Sequence, residues 1–177
     1  ASGLPAVFED AVVSPLPLMQ GRTTVIRAQV PEGVTLGGML VDHPLQFFTD
    51  ADGSQVTLQG VHALLEPGPY PLTISGTVGG DEFSFSQMVR VESGGYENES
   101  FSVDPNYLNP TVDEAESAFI ASLTAEATPE KMWEAFFTKP TPYDIFVNSY
   151  FGTRRSYNNG EFASFHAGLD FGGGTGT

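Results

Sequence analysis

The chain has 177 residues, with 22 acidic against 7 basic side chains and a formal net charge of −15 at neutral pH. This negative charge repels nucleic acid and anionic membrane surfaces, so we expect neither as a partner. The absence of cysteine excludes disulfides and cysteine-ligated zinc, and no apolar run reaches the roughly 18 residues that a membrane-spanning helix needs.

The composition favours short strands and turns over a helical bundle. An apolar fraction of 40%, including 14 phenylalanines, is enough for a packed core, while 20 glycines and 13 prolines indicate many turns. A start at Ala1-Ser-Gly suits a mature chain whose targeting segment has been removed. Together with the acidic balance, this predicts an extracellular or cell-envelope protein.

Residues from about 10 to 93 follow the pattern of successive short strands. In Glu82–Val91, phenylalanine and valine alternate with polar residues, and Thr24–Val30 alternates in the same way. This period of two is expected of strands that bury one face. Further strands are predicted at Val34–Val41, Leu45–Thr49, Gln55–Leu58, Val61–Leu65 and Leu72–Val78.

Seven short strands over roughly 80 residues predict an immunoglobulin-like β-sandwich for residues 1–93. The Gly-x-Tyr-x-Leu order around Tyr70 is similar to a strand start of bacterial immunoglobulin-like modules. The segment Asp50-Ala-Asp-Gly-Ser54 has the oxygen spacing of a calcium loop but lacks the later glutamate. We therefore predict that it is an Asp-Gly hairpin turn.

Residues 94–147 are predicted to be an extended and helical connector. The chain is expected to be extended through Tyr107, and a capping box of Thr111 with Glu114 then predicts a first helix. Proline after Thr128 predicts the start of a second helix. The apolar side chains expected to dock these helices are Val112, Ala115, Phe119 and Leu123, and Met132, Trp133, Phe136 and Phe137.

The chemistry is concentrated in residues 148–177, where His166 and Asp170 lie four residues apart. If Phe165–Phe171 is one strand, these two side chains share a face about 7 Å apart, with Gly168 between them. An imidazole nitrogen and a carboxylate oxygen with this placement suit a zinc ion. The remaining histidines, His43 in a predicted loop and His62 in a predicted strand, are interpreted as surface or structural residues.

The order of motifs in this segment resembles the opening of a LytM/lysostaphin-type zinc metalloendopeptidase domain. It runs from Phe151-Gly152 through Arg154-Arg155 and a turn at Asn159-Gly160 to F-H-x-G-x-D-F and a Gly-Thr-Gly-Thr ending. The resemblance covers about thirty residues. It implies the first strands of a truncated, β-rich peptidase domain, with His166 and Asp170 as zinc ligands.

The same resemblance implies that the peptide cross-links of bacterial peptidoglycan are the substrate. In that family an H-x-H motif supplies the third zinc ligand and a histidine that assists proton transfer, and this sequence has no H-x-H. No catalytic residue is therefore assigned within the chain. We expect it to be inactive alone, with a C-terminal fragment or a neighbouring subunit completing the fold.

Two alternatives remain open at the level of sequence. Arg154 and Arg155 could bind a carboxylate of a peptide stem, or they could form a structural ion pair with the abundant acids. The structural role is slightly favoured, because a charged pair beside a hairpin is usually a solvated face. The whole chain could instead be a non-enzymatic extracellular immunoglobulin-like binding or assembly module, whose peptidase-like tail is vestigial or adds a strand to a neighbouring sheet.

Overall fold

A computed structural model of the chain describes residues 4–108, 110–126, 128, 130–135, 137–140 and 146–175. It contains 45% strand and 10% helix, which confirms the mainly β fold class. Residues 4–94 with 130–131 form one compact unit, and the other described residues form a second. No helix in these ranges is long and apolar enough to cross a membrane.

The first unit consists of two sheets that share one core. The four-stranded sheet has the order β1-β3-β7-β6, and the five-stranded sheet has the order β2-β9-β8-β4-β5. Neighbouring strands are antiparallel except for β2 and β9, which are parallel. The strands are β1 (Asp10–Ser14), β2 (Leu18–Met19), β3 (Thr23–Gln29), β4 (Thr35–Leu40), β5 (His43–Gln46), β6 (Phe48–Thr49), β7 (Gln55–Gly60), β8 (Gly68–Val78) and β9 (Asp81–Glu92).

Alternation along the strands explains why the two sheets pack on each other. Ile26 and Ala28 of β3 are fully buried, and so are Leu72 and Ile74 of β8 on the opposite sheet. Their sequence neighbours are less buried, as the period of two predicts. Burial of this apolar surface is the main favourable term in the stability of the unit.

The strand order can be compared with that of an immunoglobulin-type sandwich. The four-stranded sheet is compatible with the ABED set of that architecture, and the consecutive strands β9-β8-β4 of the five-stranded sheet are compatible with its GFC set. Tyr70 in β8 donates a hydrogen bond of 2.7 Å to the Glu66 carbonyl, as the tyrosine corner of such sandwiches does. The immunoglobulin-like class itself stays a prediction.

Four local predictions in this unit are wrong. The predicted strand Leu45–Thr49 is divided between β5 and β6, which belong to different sheets. Val61–Leu65 is a loop rather than a strand, and His62 lies in that loop. His43, expected in a loop, is instead the first residue of β5. The loop is needed because β7 and β8 belong to different sheets, so the chain must cross between them. Val61 and Ala63 are buried in this crossing, which explains their strand-like apolar spacing.

The Asp-Gly segment is a hairpin turn between β6 and β7, as predicted. The Asp50 amide donates to the Ser54 carbonyl at 2.8 Å, and Gly53 has a positive φ of 82°. Lys131 Nζ lies 2.6 Å from one carboxylate oxygen of Asp50, and Arg27 Nη2 lies 2.9 Å from the other. These cations, with the Ala51 amide, hold the pKa of Asp50 well below its usual range.

We expect Asp50→Asn to lower the free energy of unfolding at neutral pH, because Lys131 and Arg27 lose their shared anion. Since the pKa is lower in the folded state, the wild-type advantage is present above about pH 4 and is lost as the pH falls below it. Urea unfolding of both proteins across this range measures the difference. A difference that does not change with pH would contradict the ion-pair explanation; Asp81→Asn, at the exposed β8–β9 turn, is the control.

The second unit contains two small sheets and the one α-helix of the described residues. One sheet has the order β10-β12-β13, with β10 parallel to β12, and the other pairs β11 with β14 in antiparallel fashion. Its elements are β10 (Asn98–Phe101), a 3-10 helix (Pro105–Tyr107), α1 (Pro110–Thr124), β11 (Phe146–Ser149), β12 (Arg154–Tyr157), β13 (Ser164–Phe165) and β14 (Asp170–Gly172).

Several details of the predicted connector differ from the structure. The extended segment ends in a 3-10 helix at Pro105–Tyr107, because the Asp104 carboxylate caps it by accepting from the Asn106 amide. The first helix begins at Pro110, so Thr111 lies inside it and not at its cap. The turn after β12 centres on Asn158 and Asn159, which both have positive φ, one residue before the predicted pair.

The second predicted helix is absent from the described residues between 128 and 140. Pro129 and Phe136 lie outside the described residues, and Met132 and Phe137 are about four-fifths exposed. The predicted helix could extend only from Thr128 to the residue before Pro140, and a helix of this length is marginal without packing. The expected docking of α1 is not seen either, since Val112, Phe119 and Leu123 are exposed.

Candidate metal centre

The position of the candidate site is set by a change of strand partner. β13 pairs with β12, whereas β14 pairs with β11 in the other sheet. The chain therefore has to leave one sheet after Phe165 and enter the next at Asp170. The prediction of one continuous strand over Phe165–Phe171 is wrong for this reason, and His166 and Asp170 lie at opposite ends of the crossing.

The crossing brings the two predicted ligands into direct contact. His166 Nε2 lies 3.1 Å from Asp170 Oδ1, instead of the about 7 Å separation expected along a straight strand. The imidazole is nearly buried, with 10% of the side chain exposed, while the carboxylate is 53% exposed. A Cβ added to Gly168 would lie 3.6 Å from Nε2, so the glycine leaves space beside this nitrogen.

The spacing of this pair can be compared with the geometry of bound zinc. Nitrogen and oxygen ligands lie about 2.1 Å from zinc, so two ligands of a tetrahedral ion are about 3.4 Å apart. The observed 3.1 Å between Nε2 and Oδ1 is close to that separation. The two side chains therefore fit as neighbouring ligands of one zinc ion after a small adjustment.

The other ring nitrogen of His166, Nδ1, contacts two neighbouring oxygen atoms. Nδ1 lies 3.2 Å from the Tyr150 carbonyl oxygen and 3.1 Å from Ser149 Oγ. Because a carbonyl oxygen can only accept, this contact requires a hydrogen on Nδ1. A metal-binding histidine commonly donates its second N–H to a carbonyl in this way, which leaves Nε2 as the ligand atom.

The main chain of His166 is fixed as well. Its amide donates to the Thr153 carbonyl at 2.9 Å, and its carbonyl accepts from the Gly152 amide at 2.8 Å. Gly152 adopts a positive φ of 89°, and the Tyr96 ring occupies the space that a Cβ would need. The aromatic ring of Phe151 makes edge contacts with Tyr96 and with Phe165, at 6.4 and 5.6 Å between centroids.

Arg155 contacts Ser149 on the side of the His166 ring that faces away from Asp170. Its Nη2 lies 3.5 Å from Ser149 Oγ, and its guanidinium carbon lies 5.5 Å from the centroid of the Phe101 ring. Within the described ranges no carboxylate forms a salt bridge with Arg155, and its buried Nε has no hydrogen-bond partner. The ion pair that the sequence slightly favoured is therefore not formed by Arg155 among these residues.

The remaining histidines lie in the first unit. His43 Nδ1 is 3.5 Å from a carboxylate oxygen of Asp42, and His62 Nδ1 accepts from the Leu64 amide at 3.1 Å. Across the described part of the chain, no cluster of three or more histidine, cysteine or acidic side chains could hold a metal. Among the residues that the structure describes, His166 and Asp170 are thus two potential ligands without a third.

Sequence reasoning found His166, Asp170 and Arg155 but missed Ser149 and Tyr150. Ser149 lies seventeen positions and Tyr150 sixteen positions before His166, and no local motif connects them with it. The signal that could have found them is strand pairing, because Ser149 is the register partner of Asp170. Comparison of the sequence with known protein families and with curated proteins gives no match.

We expect Gly152→Ala to destabilise the second unit by at least about 2 kcal/mol, because of the positive φ and the clash with Tyr96. Urea unfolding, followed through the amide signals of Thr153 and His166, measures the change. The control is Gly174→Ala, where an added Cβ meets nothing within 4 Å. Equal stability of the two variants would contradict the role given to Gly152.

Proposed function

We propose that this chain supplies two zinc ligands, His166 and Asp170, to a secreted or cell-envelope metalloendopeptidase of the LytM/lysostaphin type. The observation that carries the proposal is the 3.1 Å approach of Nε2 to Oδ1, with the opposite ring nitrogen held by the Tyr150 carbonyl. The F-H-x-G-x-D-F motif resembles the metal-binding segment of that family. Both features concern the same two side chains.

The two facing atoms of His166 and Asp170 would form a place for a cation. With a hydrogen on Nδ1, a neutral His166 points the lone pair of Nε2 at an acceptor oxygen of Asp170. A cation bound between these atoms would relieve that repulsion.

The residues of this chain would bind the metal without completing a catalytic centre. When bound, zinc acts as a Lewis acid that polarises a carbonyl and lowers the pKa of a bound water. His166 would hold the ion through Nε2 and Asp170 through a carboxylate oxygen, and catalytic zinc normally takes a third protein ligand. The sequence has no H-x-H, so we propose that a further polypeptide segment or a neighbouring subunit supplies it.

The proposed substrates are peptide cross-links of bacterial peptidoglycan. The support for this class is the resemblance of residues 148–177 to the family, together with the excess of acidic residues, which suits a secreted protein that does not bind nucleic acid. The immunoglobulin-like unit would then be a separate binding or spacing module of the same envelope protein.

A second candidate function is a non-enzymatic binding or assembly module. The observation that favours it is the exposed apolar surface of α1, where Val112, Phe119, Ile120 and Leu123 are all at least half exposed. Exposed apolar patches of this kind often contact partner proteins. In this case the contact of His166 with Asp170 would be an ordinary polar contact with no metal.

Zinc titration distinguishes the two functions, because only the metalloendopeptidase function requires His166 and Asp170 to bind zinc. We expect calorimetry of the metal-free chain to show one zinc site, and His166→Ala and Asp170→Ala each to weaken it by more than about tenfold, since each removes a ligand. His43→Ala is the control and should bind as the wild type does. Equal zinc affinity in all four proteins would contradict the proposed ligands.

A peptidase assay then tests the substrate. Because the sequence has no H-x-H to supply a third ligand, we expect the zinc-loaded chain alone to release no peptides from purified peptidoglycan. Addition of a polypeptide carrying the rest of a LytM-type domain, including its H-x-H, should give release that Asp170→Ala abolishes. Zinc binding with no release under any of these conditions would favour the assembly function.

A further inference from the structure

The residues behind His166 form a hydrogen-bonded series with a fixed direction. Arg155 can only donate, and the Tyr150 carbonyl can only accept. Ser149 Oγ lies between Arg155 Nη2, at 3.5 Å, and His166 Nδ1, at 3.1 Å. Nδ1 also faces the Tyr150 carbonyl at 3.2 Å. One assignment satisfies all three contacts. Arg155 donates to Ser149 Oγ, and the Nδ1–H of His166 donates to both Ser149 Oγ and the Tyr150 carbonyl.

We propose that Ser149, with Arg155 behind it, is a positioning residue that acts together with the Tyr150 carbonyl to fix the Nδ1–H tautomer and the ring orientation of His166. The imidazole can rotate about the Cα–Cβ and Cβ–Cγ bonds even though the backbone of His166 is fixed. Two acceptors on the Nδ1 side therefore restrain the ring orientation better than the Tyr150 carbonyl alone. The ring edge opposite Ser149 then carries the Nε2 lone pair toward Asp170. The functional value of this orientation rests on the proposed zinc site, but the orientation itself does not.

The location of Ser149 supports this role. Ser149 is the last residue of β11 and the register partner of Asp170 in β14, next to an irregularity in the pairing after Val147. The same strand pair therefore places both the side chain that faces Nδ1 and the side chain that faces Nε2. Because Ser149 and Asp170 are paired in the same two strands, their positions relative to the His166 ring are fixed together.

Arg155 has a polarising function in this proposal. Its guanidinium lies over the Phe101 ring, and the described residues provide no carboxylate salt bridge for it. A cation that donates to Ser149 Oγ leaves that oxygen a hydrogen-bond acceptor toward Nδ1 and disfavours the reverse arrangement. Arg155 therefore acts on His166 only through Ser149.

The test is nitrogen-15 NMR of the histidine rings in the metal-free full chain, at alkaline pH where imidazoles are neutral. We expect His166 of the wild type to show the Nδ1–H tautomer. Ser149→Ala should give a mixture of tautomers, whereas Ser149→Thr, which keeps the hydroxyl, should restore the wild-type signal. Exposed His43 serves as the reference ring in each sample. Unchanged Gly152 and Thr153 amide signals confirm that the fold around His166 is intact in each variant.

Two results would overturn the proposal. One is an Nε2–H tautomer for His166 in the wild type, and the other is a Ser149→Ala spectrum identical to that of the wild type. Zinc titration of the same samples is a separate readout, in which we expect Ser149→Ala to bind about tenfold more weakly. If the wild type binds no zinc, the proposed function fails, and the tautomer result alone still decides the role of Ser149.

Discussion

The pairing of β14 with β11 determines the candidate site. If the chain continued straight from β13, His166 and Asp170 would lie about 7 Å apart on one strand, and Ser149 would have no reason to approach either of them. The change of partner shortens the separation to 3.1 Å and places the Tyr150 carbonyl behind the ring. One strand exchange thus positions the two predicted ligands and their supporting contacts together.

Burial then gives the two members of the pair different properties. The imidazole of His166 is enclosed, and its backbone is hydrogen-bonded to Gly152 and Thr153, so it is fixed on all sides except toward Asp170. The carboxylate of Asp170 is half exposed and reaches solvent. The proposed ligand pair thus combines a restrained, nearly buried imidazole with a carboxylate that solvent can reach.

Much of the first unit could be predicted from sequence because period-two patterning reports burial directly. Ile26 and Ala28 are buried where the alternation of Thr24–Val30 placed them. The same signal failed at Val61–Leu65, where a loop crossing between sheets buries Val61 and Ala63 at strand-like spacing. Periodicity therefore identifies buried side chains more reliably than it identifies the backbone that carries them.

The candidate site could be predicted only as far as its local motif. His166 and Asp170 are visible in sequence because they lie four residues apart, but their contact depends on which strands pair, and pairing is not encoded locally. Ser149 was missed for the same reason. The second helix was predicted from a proline start and apolar residues, yet two of those residues, Met132 and Phe137, are about four-fifths exposed and do not anchor a helix.

The most direct test of the account is an anomalous difference map at the zinc absorption edge, from crystals of the chain grown with zinc. The account predicts a peak within bonding distance of both His166 Nε2 and Asp170 Oδ1, with the Tyr150 carbonyl still bonded to Nδ1. A map without this peak, or with zinc only at His43 or His62, would contradict the assignment of a metal site to this pair.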